Sequence, residues 1–456
     1  MTISRFSGDR TRTARPATRQ RALLGISLGY FMVLLDMTVL SVAEPDLAAS
    51  LHTSVAGLQW ATNAYTVTFG ALLLSGGAVA DRHGAHRVFR AGVAVFGLGS
   101  LLCAFAPTVA ALIGVRALLG AAAAACVPAS MAMITKLCPD PAERGRAVAA
   151  WAAISGAAVA AGPIIGGALI GLAGWRAIFL INVPIAALAL TLTAGPAVSC
   201  PRGARRIGWA AQLALCAVLA TSTDALIAAG SRSWGHAAGA TAATALAAAA
   251  FALLERRSPA PVLAGLPLRA AGVRAALATG AAVNFTLTGG LFVLPILLRQ
   301  DHRLGPAATG LALLPLTLPF ALNPPVTGRI MARFGARPPI LAGTALLVAG
   351  GVTLGYVTRS AAGYGWLALG LLLTGFGVSL ALPALVTAVI TAAPQGTAGA
   401  AGGLLNSVRQ SGAILGVAVM GGCVSLNGTA GAAYAFALSA TVCAAAGIWF
   451  AHDRTR

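Results

Sequence analysis

The chain has 456 residues, of which 58% are hydrophobic and only 9% charged, and its mean hydropathy is +0.84. Repeated apolar runs of about twenty residues exclude a water-soluble globular domain and point to a polytopic membrane protein. The formal net charge of +20 comes from 31 basic and 11 acidic residues. In a membrane protein it reads as loops held on one side, not as a nucleic-acid surface.

The runs are continuous instead of alternating, so the expected fold class is all-α, because a helix closes its own backbone hydrogen bonds in lipid. Fourteen spans follow in chain order: 22–44, 57–80, 88–106, 109–135, 147–172, 177–196, 208–229, 237–254, 273–298, 307–328, 339–357, 363–390, 401–422 and 430–450. The Arg-rich start, the first apolar run and "SVA" (41–43) imitate a signal peptide. Asp36 interrupts that run and the run is too long for such a peptide, so the first helix is expected to stay.

An even number of spans puts both termini on one side. With the N-terminus cytoplasmic, twenty-four Arg and Lys fall in inner segments and five in outer loops, namely Arg176, Arg232, Arg299, Arg303 and Arg359. A miscounted helix would have exchanged the sides of everything after it, so the bias supports both count and orientation. A multi-pass protein of the cell (inner or plasma) membrane with cytoplasmic termini is expected.

The chain also repeats. "GAVADRHGAHRVFRAG" (77–92) overlies "GRIMARFGARPPILAG" (328–343) at a constant offset of 251, matching Gly77 with Gly328, Arg82 with Arg333 and Gly84 with Gly335. Both copies follow an outside-to-inside helix, as in transporters built from two parallel halves. The expected organisation is a cytoplasmic tail (1–21), a six-helix bundle (22–196), inserted helices 7 and 8 with their loops (197–271), a second six-helix bundle (272–450) and a short tail (451–456).

Six charged or titratable residues crowd into "GGAVADRHGAHRVFR" (76–90). Gly84 permits a tight turn there, and Asp81 can pair with a base or cap a helix end. The stretch resembles the signature loop between helices 2 and 3 of the major facilitator superfamily, with Gly77, Asp81, Arg82, Gly84 and Arg87 in place. Further motifs resemble the fourteen-helix drug:proton antiporter branch: "LDMTVLSVAEPDL" (35–47), "RALLGAAAAACVPASMAMI" (116–134), "GPIIGG" (162–167), "WRAIFLINVPI" (175–185) and "LLNSVRQSGAILGVAV" (404–419). The sequence departs from that pattern at Ser41, Glu44 and Leu119. The resemblance implies two six-helix bundles plus two inserted helices, and efflux of small organic compounds, lipophilic or cationic, driven by proton entry. It implies a cytoplasmic gate at residues 77–87 and an antiporter motif at Gly162, Pro163, Gly166 and Gly167. Read without the resemblance, the loop is a positive-inside anchor and the motif a kinked packing surface.

The only lysine is Lys136, so the chain has no Gly-rich phosphate loop ending in Lys and no ATPase of its own. An ion gradient is the remaining energy source. The seven cysteines form no CxxC pair, and neither metal nor other cofactor is indicated. Asp36, well inside helix 1, is the leading proton site, because burial favours the neutral carboxyl and lets it bind and release H⁺. The alternative is a structural pair with an Arg. Arg116 in helix 4 needs a bundle-facing partner, for which Asp36 is the candidate, and the resemblance implies that it aids proton transfer.

Glu44 and Asp46 either attract protons or cations or form a solvated helix end. Trp60, Tyr65, Asn284, Phe285 and Asn323 are cavity candidates, with helix packing as the alternative. Arg409 is a further cavity candidate that binds either backbone carbonyls or a substrate acid. Asp224 falls on the inserted pair, away from the expected cavity. The function expected is a proton-coupled exporter, monomeric, with substrate, protons and lipid as partners and no nucleic acid. Its rivals are a proton symporter importing a nutrient and a membrane receptor or scaffold that moves nothing.

Overall fold

The computed structural model describes residues 16–195, 200, 203, 208–258, 271–360, 362–393 and 398–453. The basic tail as far as Arg15, the linker bases Arg202, Arg205 and Arg206, Arg269 and the last two arginines lie outside them. The described residues contain helices and no strand.

In chain order the helices are α1 (Pro16–Ser50), α2 (Val55–His83), α3 (Ala85–Ala104), α4 (Val109–Leu137), α5 (Pro141–Ala173), α6 (Ala177–Leu180), α7 (Asn182–Leu192), α8 (Trp209–Gly230) and α9 (Trp234–Arg257). Then come α10 (Ala271–Gln300), α11 (Pro306–Ala312), α12 (Leu314–Leu322), α13 (Pro324–Phe334), α14 (Arg337–Ser360), α15 (Tyr364–Thr391) and α16 (Ala398–His452). Each of the fourteen predicted spans falls on helix. Eleven described helices are long and apolar enough to cross a membrane, and α2 makes a twelfth when its two bent parts count as one span.

The other two predicted spans are broken, which sequence periodicity did not foresee. One is α6 and α7, interrupted at Ile181. The other is α11, α12 and α13, interrupted at Leu313 and Asn323, where Pro315, Pro319, Pro324 and Pro325 remove backbone donors that a continuous helix would use. Conversely α16 merges two spans, which part at Gly428, whose φ of 56° and ψ of −134° are not helical.

The helix starts follow local chemistry. Ser54, Thr108 and Asp140 each accept a bond from the backbone N–H three residues on, filling orphan donors of α2, α4 and α5. The internal repeat is visible in the backbone. Gly84 (φ 91°) joins α2 to α3 and Gly335 (φ 78°) joins α13 to α14, a conformation that glycine adopts without a Cβ clash.

The chain forms two sets of packed helices, α1–α7 and α10–α16, with α8 and α9 outside them. Only 17% and 11% of the membrane-crossing stretches of α8 and α9 are buried, against 83% for α10. The inserted pair is therefore peripheral, tied to α2 by Ser75, whose hydroxyl meets Gln212 at 2.5 Å. One apolar core links the two sets through residues such as Val39, Tyr65, Phe292, Leu313 and Val417. A second core, including Val273, Ile340, Val389, Leu405 and Cys443, belongs to α10–α16 alone and lies at the end of the helices that carries the termini.

Contacts between the sets consequently cluster toward the far end, away from the termini. Gln59 donates to Val417 O and Ala418 O there (2.9 and 2.8 Å), while Ser407 donates to Gly70 O at 2.9 Å near the middle of the membrane-crossing stretch. Arg299 and Asp46 form an ion pair at 3.0 Å.

Candidate functional site

Asp36 and Arg116 meet in the core of the first set. Their side chains are 0% and 1% exposed, and Arg116 NH1 donates to Asp36 Oδ2 in a short ion pair. Arg116 Nε donates to Ala61 O at 3.1 Å, and its guanidinium lies 4.6 Å from the centre of the Tyr65 ring. The second carboxylate oxygen of Asp36 accepts from Asn182 Nδ2 at 3.1 Å, and the same amide nitrogen lies 3.2 Å from Ser100 Oγ.

Five elements thus converge on one charge pair: α1, α2, α3, α4 and the start of α7. Two charges out of water lose several kcal/mol of hydration each, and close pairing with further hydrogen bonds offsets that loss. The pairing of Asp36 with Arg116 was legible in the sequence. Asn182 and Ser100 were not singled out, although Asn182 stands within "WRAIFLINVPI". Asn182 stands at the start of α7, where its amide reaches Asp36.

Glu44 is buried, at 2% exposure. Its Oε1 accepts from Thr62 at 3.1 Å, and Oε2 has no hydrogen-bond partner among the described residues. Thr62 adjoins Ala61, which holds Arg116, so Glu44 lies beside the same network on the far-end side. Asp46 is instead half-buried in its ion pair with Arg299 of α10.

The "GPIIGG" glycines serve close approach. A Cβ on Gly162 would stand 2.0 Å from Thr38 Oγ1, and one on Gly167 would stand 2.5 Å from Pro306 O. In return Gly310 of α11 presses on Pro163 O, with 2.1 Å available to a Cβ. Thus α5 packs on α1 one turn from Asp36 and on α11 across the seam between the two sets.

The signature loop sits between α2 and α3. Arg82 and Arg87 are exposed, and Gly77 faces Pro128 of α4. The linker after α7 engages the loop: Gly203 N donates to the backbone carbonyl of Asp81 at 2.6 Å, and Cys200 N to the His86 side chain at Nδ1, 3.0 Å away.

The six cavity candidates divide. Tyr65 is fully buried under Arg116, and Phe285 packs in the core, where its backbone touches Gly416. Asn323 ties the α12–α13 break to α15 by donating to Ser379 Oγ at 2.8 Å, and Trp60 is half-buried near the start of α2. Arg409 and Asn284 come together at the seam: Arg409 Nε donates to Asn284 Oδ1 at 3.2 Å and NH1 to Asn406 Oδ1 at 2.9 Å. Across the seam Tyr30 of α1 stacks on Trp151 of α5, with ring centres 4.3 Å apart and planes 7° from parallel. Asp224, away from all of these, pairs with His236 at 2.7 Å within the inserted pair.

The family model described as Major Facilitator Superfamily matches residues 26–417 and 276–456. The chain belongs to the major facilitator superfamily. It is 33% identical over 407 residues to the multidrug resistance protein Stp of Mycobacterium tuberculosis, covering 89% of this chain and 75% of that one. It is 34% identical over 429 residues to the methylenomycin A resistance protein of Streptomyces coelicolor, covering 92% and 90%. Among solved structures, a POT family transporter in complex with a thioalcohol-conjugated peptide superposes with a TM-score of 0.71 at 14% identity, covering 94% and 95%. Membership of this superfamily makes the chain a multi-pass membrane transporter of small substrates, not an enzyme.

Proposed function

We propose that this transporter exports small organic compounds of the antibiotic type in exchange for protons, by alternating access. The observation that carries the reading is a sealed Asp36–Arg116 pair inside a helical bundle whose relatives are named for drug and antibiotic resistance. A proton arriving at Asp36 cancels the charge that holds Arg116, leaving an uncompensated guanidinium in a low-dielectric site. The packing of α1, α2 and α4 around that group then favours another arrangement, and proton binding becomes coupled to conformation.

Glu44, one of whose oxygens has no partner among the described residues, serves as the outer station through which protons reach Asp36. Asp46–Arg299 fastens the outer ends of α1 and α10, the Gly162–Gly167 stretch provides the sliding contact with α11, and Gly77, Asp81, Arg82, Gly84 and Arg87 form the inner gate with the linker docked on it. Residues 22–196 and 272–450 act as the two moving bundles, and 197–271 as an insert. Both termini are cytoplasmic, in the cell membrane, and the chain works as a monomer. One charge crossing the membrane supplies about 2.3 kcal/mol per 100 mV, and a tenfold uphill gradient requires about 1.4 kcal/mol.

Inverted membrane vesicles test this reading. Under respiration that acidifies the lumen, the wild-type chain should accumulate substrate inside, a protonophore should abolish the accumulation, and Asp36→Asn should lose it while reaching normal membrane levels. Undiminished accumulation by Asp36→Asn, or release of substrate from the lumen instead of uptake, overturns the proposal.

A further inference from the structure

We infer that the substrate site of this transporter is built for organic anions, with the guanidinium of Arg409 as the group that receives the substrate's acid. The inference rests on the export reading above, and it reverses the expectation of a cationic substrate.

Arg409 lies well inside a membrane-crossing helix and remains partly exposed. Its position is built. Gly280 of α10 makes room for its stem, since a Cβ there would stand 3.2 Å from Arg409 Cγ and 3.8 Å from Cδ. One turn further along α10, Asn284 accepts from Nε, and Asn406, three residues back in α16, accepts from NH1. Both acceptors are neutral amides, so the guanidinium is oriented but its charge is not cancelled.

Of the carboxylates within the described residues, Asp81, Asp140, Glu255, Asp301 and Asp453 stand at or near helix ends, and the other five are engaged elsewhere. Asp36 is held by Arg116, Asp46 by Arg299 and Glu143 by Arg19, while Asp224 meets His236. Glu44 is sealed on the far-end side against Thr62. A cation kept inside a membrane without a counter-ion is costly, and a site of this kind is completed by an anion brought from outside the protein.

The opposite wall supplies the rest of the recognition. Tyr30 of α1 and Trp151 of α5, stacked face to face, offer a flat, largely apolar surface on the first helix set. A planar or aromatic body carrying one carboxylate, sulfonate or acidic phenol satisfies both features. A lipophilic cation would meet Arg409 as a like charge, and neither Asp36 nor Glu44 faces the seam to neutralise it. Exposed Arg82, Arg87, Arg274, Arg329, Arg333 and Arg337, near the helix ends that carry the termini, add a positive field of the sign that draws anions to that side.

Two dyes on one xanthene frame, anionic fluorescein and cationic rhodamine 123, provide the test. Binding to the purified full chain in nanodiscs, read by fluorescence anisotropy without any gradient, should favour fluorescein by at least tenfold. Arg409→Gln should weaken fluorescein at least tenfold, and Arg409→Lys should recover part of the loss. Equal or tighter binding of rhodamine 123, absence of fluorescein binding, or unchanged binding by Arg409→Gln overturns the inference. The comparison of dyes on the wild-type chain decides the matter even where a variant fails to fold. Uptake into energised inverted vesicles separates this inference from proton exchange. Arg409-dependent fluorescein binding without proton-driven uptake sinks the exchange and leaves the anion site standing, whereas proton-driven uptake of rhodamine 123 alone does the reverse.

Discussion

Asp36 and Arg116 bury equal and opposite charges, yet their removal has different consequences. Arg116→Ala strands a carboxylate at a fully buried position, and breaking such a pair costs about 3–5 kcal/mol unless the group takes up a proton. Arg116→Ala should therefore insert poorly, or insert with substrate flux no longer responsive to an imposed pH gradient. Arg116→Lys keeps the charge but lacks the fork that bonds Asp36 and Ala61 O together, so it should fold with at least tenfold weaker coupled uptake. Wild-type uptake by the Lys variant would show that charge alone suffices.

Asn182 is the residue whose role emerges from the fold. Its amide is one of two side chains that bond Asp36, and hydrogen bonds to charged groups contribute about 1.5–3 kcal/mol. Asn182→Leu should impair proton-driven uptake about tenfold at neutral pH while leaving gradient-free substrate binding unchanged. If both fall together in purified protein, Asn182 is a folding residue and not a positioning one. Asn182 lies within the quoted stretch 175–185, but its spacing alone does not reveal that it meets Asp36 of α1 and Ser100 of α3, which only the packing of α7 on those helices shows.

At the scale of helices, glycine decides how near two backbones come. Gly412 of α16 lies against Ala281 of α10 with 2.1 Å between a would-be Cβ and the carbonyl oxygen, inside the second set. Gly310 makes an equally tight contact with Pro163, but across the seam between sets. Overpacking a tight contact costs about 1–3 kcal/mol. Gly412→Ala should accordingly lower the melting temperature of the purified protein. Gly310→Ala should leave it nearly unchanged and slow transport, since it strains a contact that opens in each cycle. A reversed pattern in thermal melts and uptake would place the moving seam elsewhere. The sequence identified the Gly162–Gly167 stretch as a close-packing surface, but its partner α11 could not be read from it. The prolines that divide α11, α12 and α13 were visible, yet a proline within an apolar run marks a kink as readily as a break.

Across the whole molecule, the apolar core that joins the two helix sets and the hydrogen bonds between them run from the middle of the helices to the far end. Asp46–Arg299 is the ion pair of that closure, with side chains 26% and 21% exposed. A partly exposed pair contributes about 1 kcal/mol or less, enough to shift a two-state balance about fivefold. Arg299→Glu should depress uptake several-fold by placing like charges together, and Asp46→Arg combined with Arg299→Glu should restore much of it. Failure of the exchanged pair to rescue would assign the loss to other contacts of Arg299. The insert, α8 and α9, buries little of its surface, so its removal should disturb the core less than the loss of any other helix pair, as judged by monodispersity of a chain joined from Ala194 to Gly272.

What the sequence determined by itself is what depends on transfer from water to lipid and on local backbone chemistry: helices in place of strands, fourteen apolar segments, the basic bias of alternate loops, and the duplicated Gly84 and Gly335 turns. These properties belong to single segments and need no neighbour. The tertiary structure decided which buried charges have counter-ions. Arg116 and Asp36 could be matched from the sequence, but the amide of Asn182 that completes their network could not; Glu44 could be a proton-attracting group or a solvated helix end and is sealed; Arg409 is held by two neutral amides and, among the described residues, by no carboxylate. Residues far apart in the chain provide or withhold the partner in each case, and electrostatic energy in a low-dielectric interior depends on that distance in space and not on spacing along the chain.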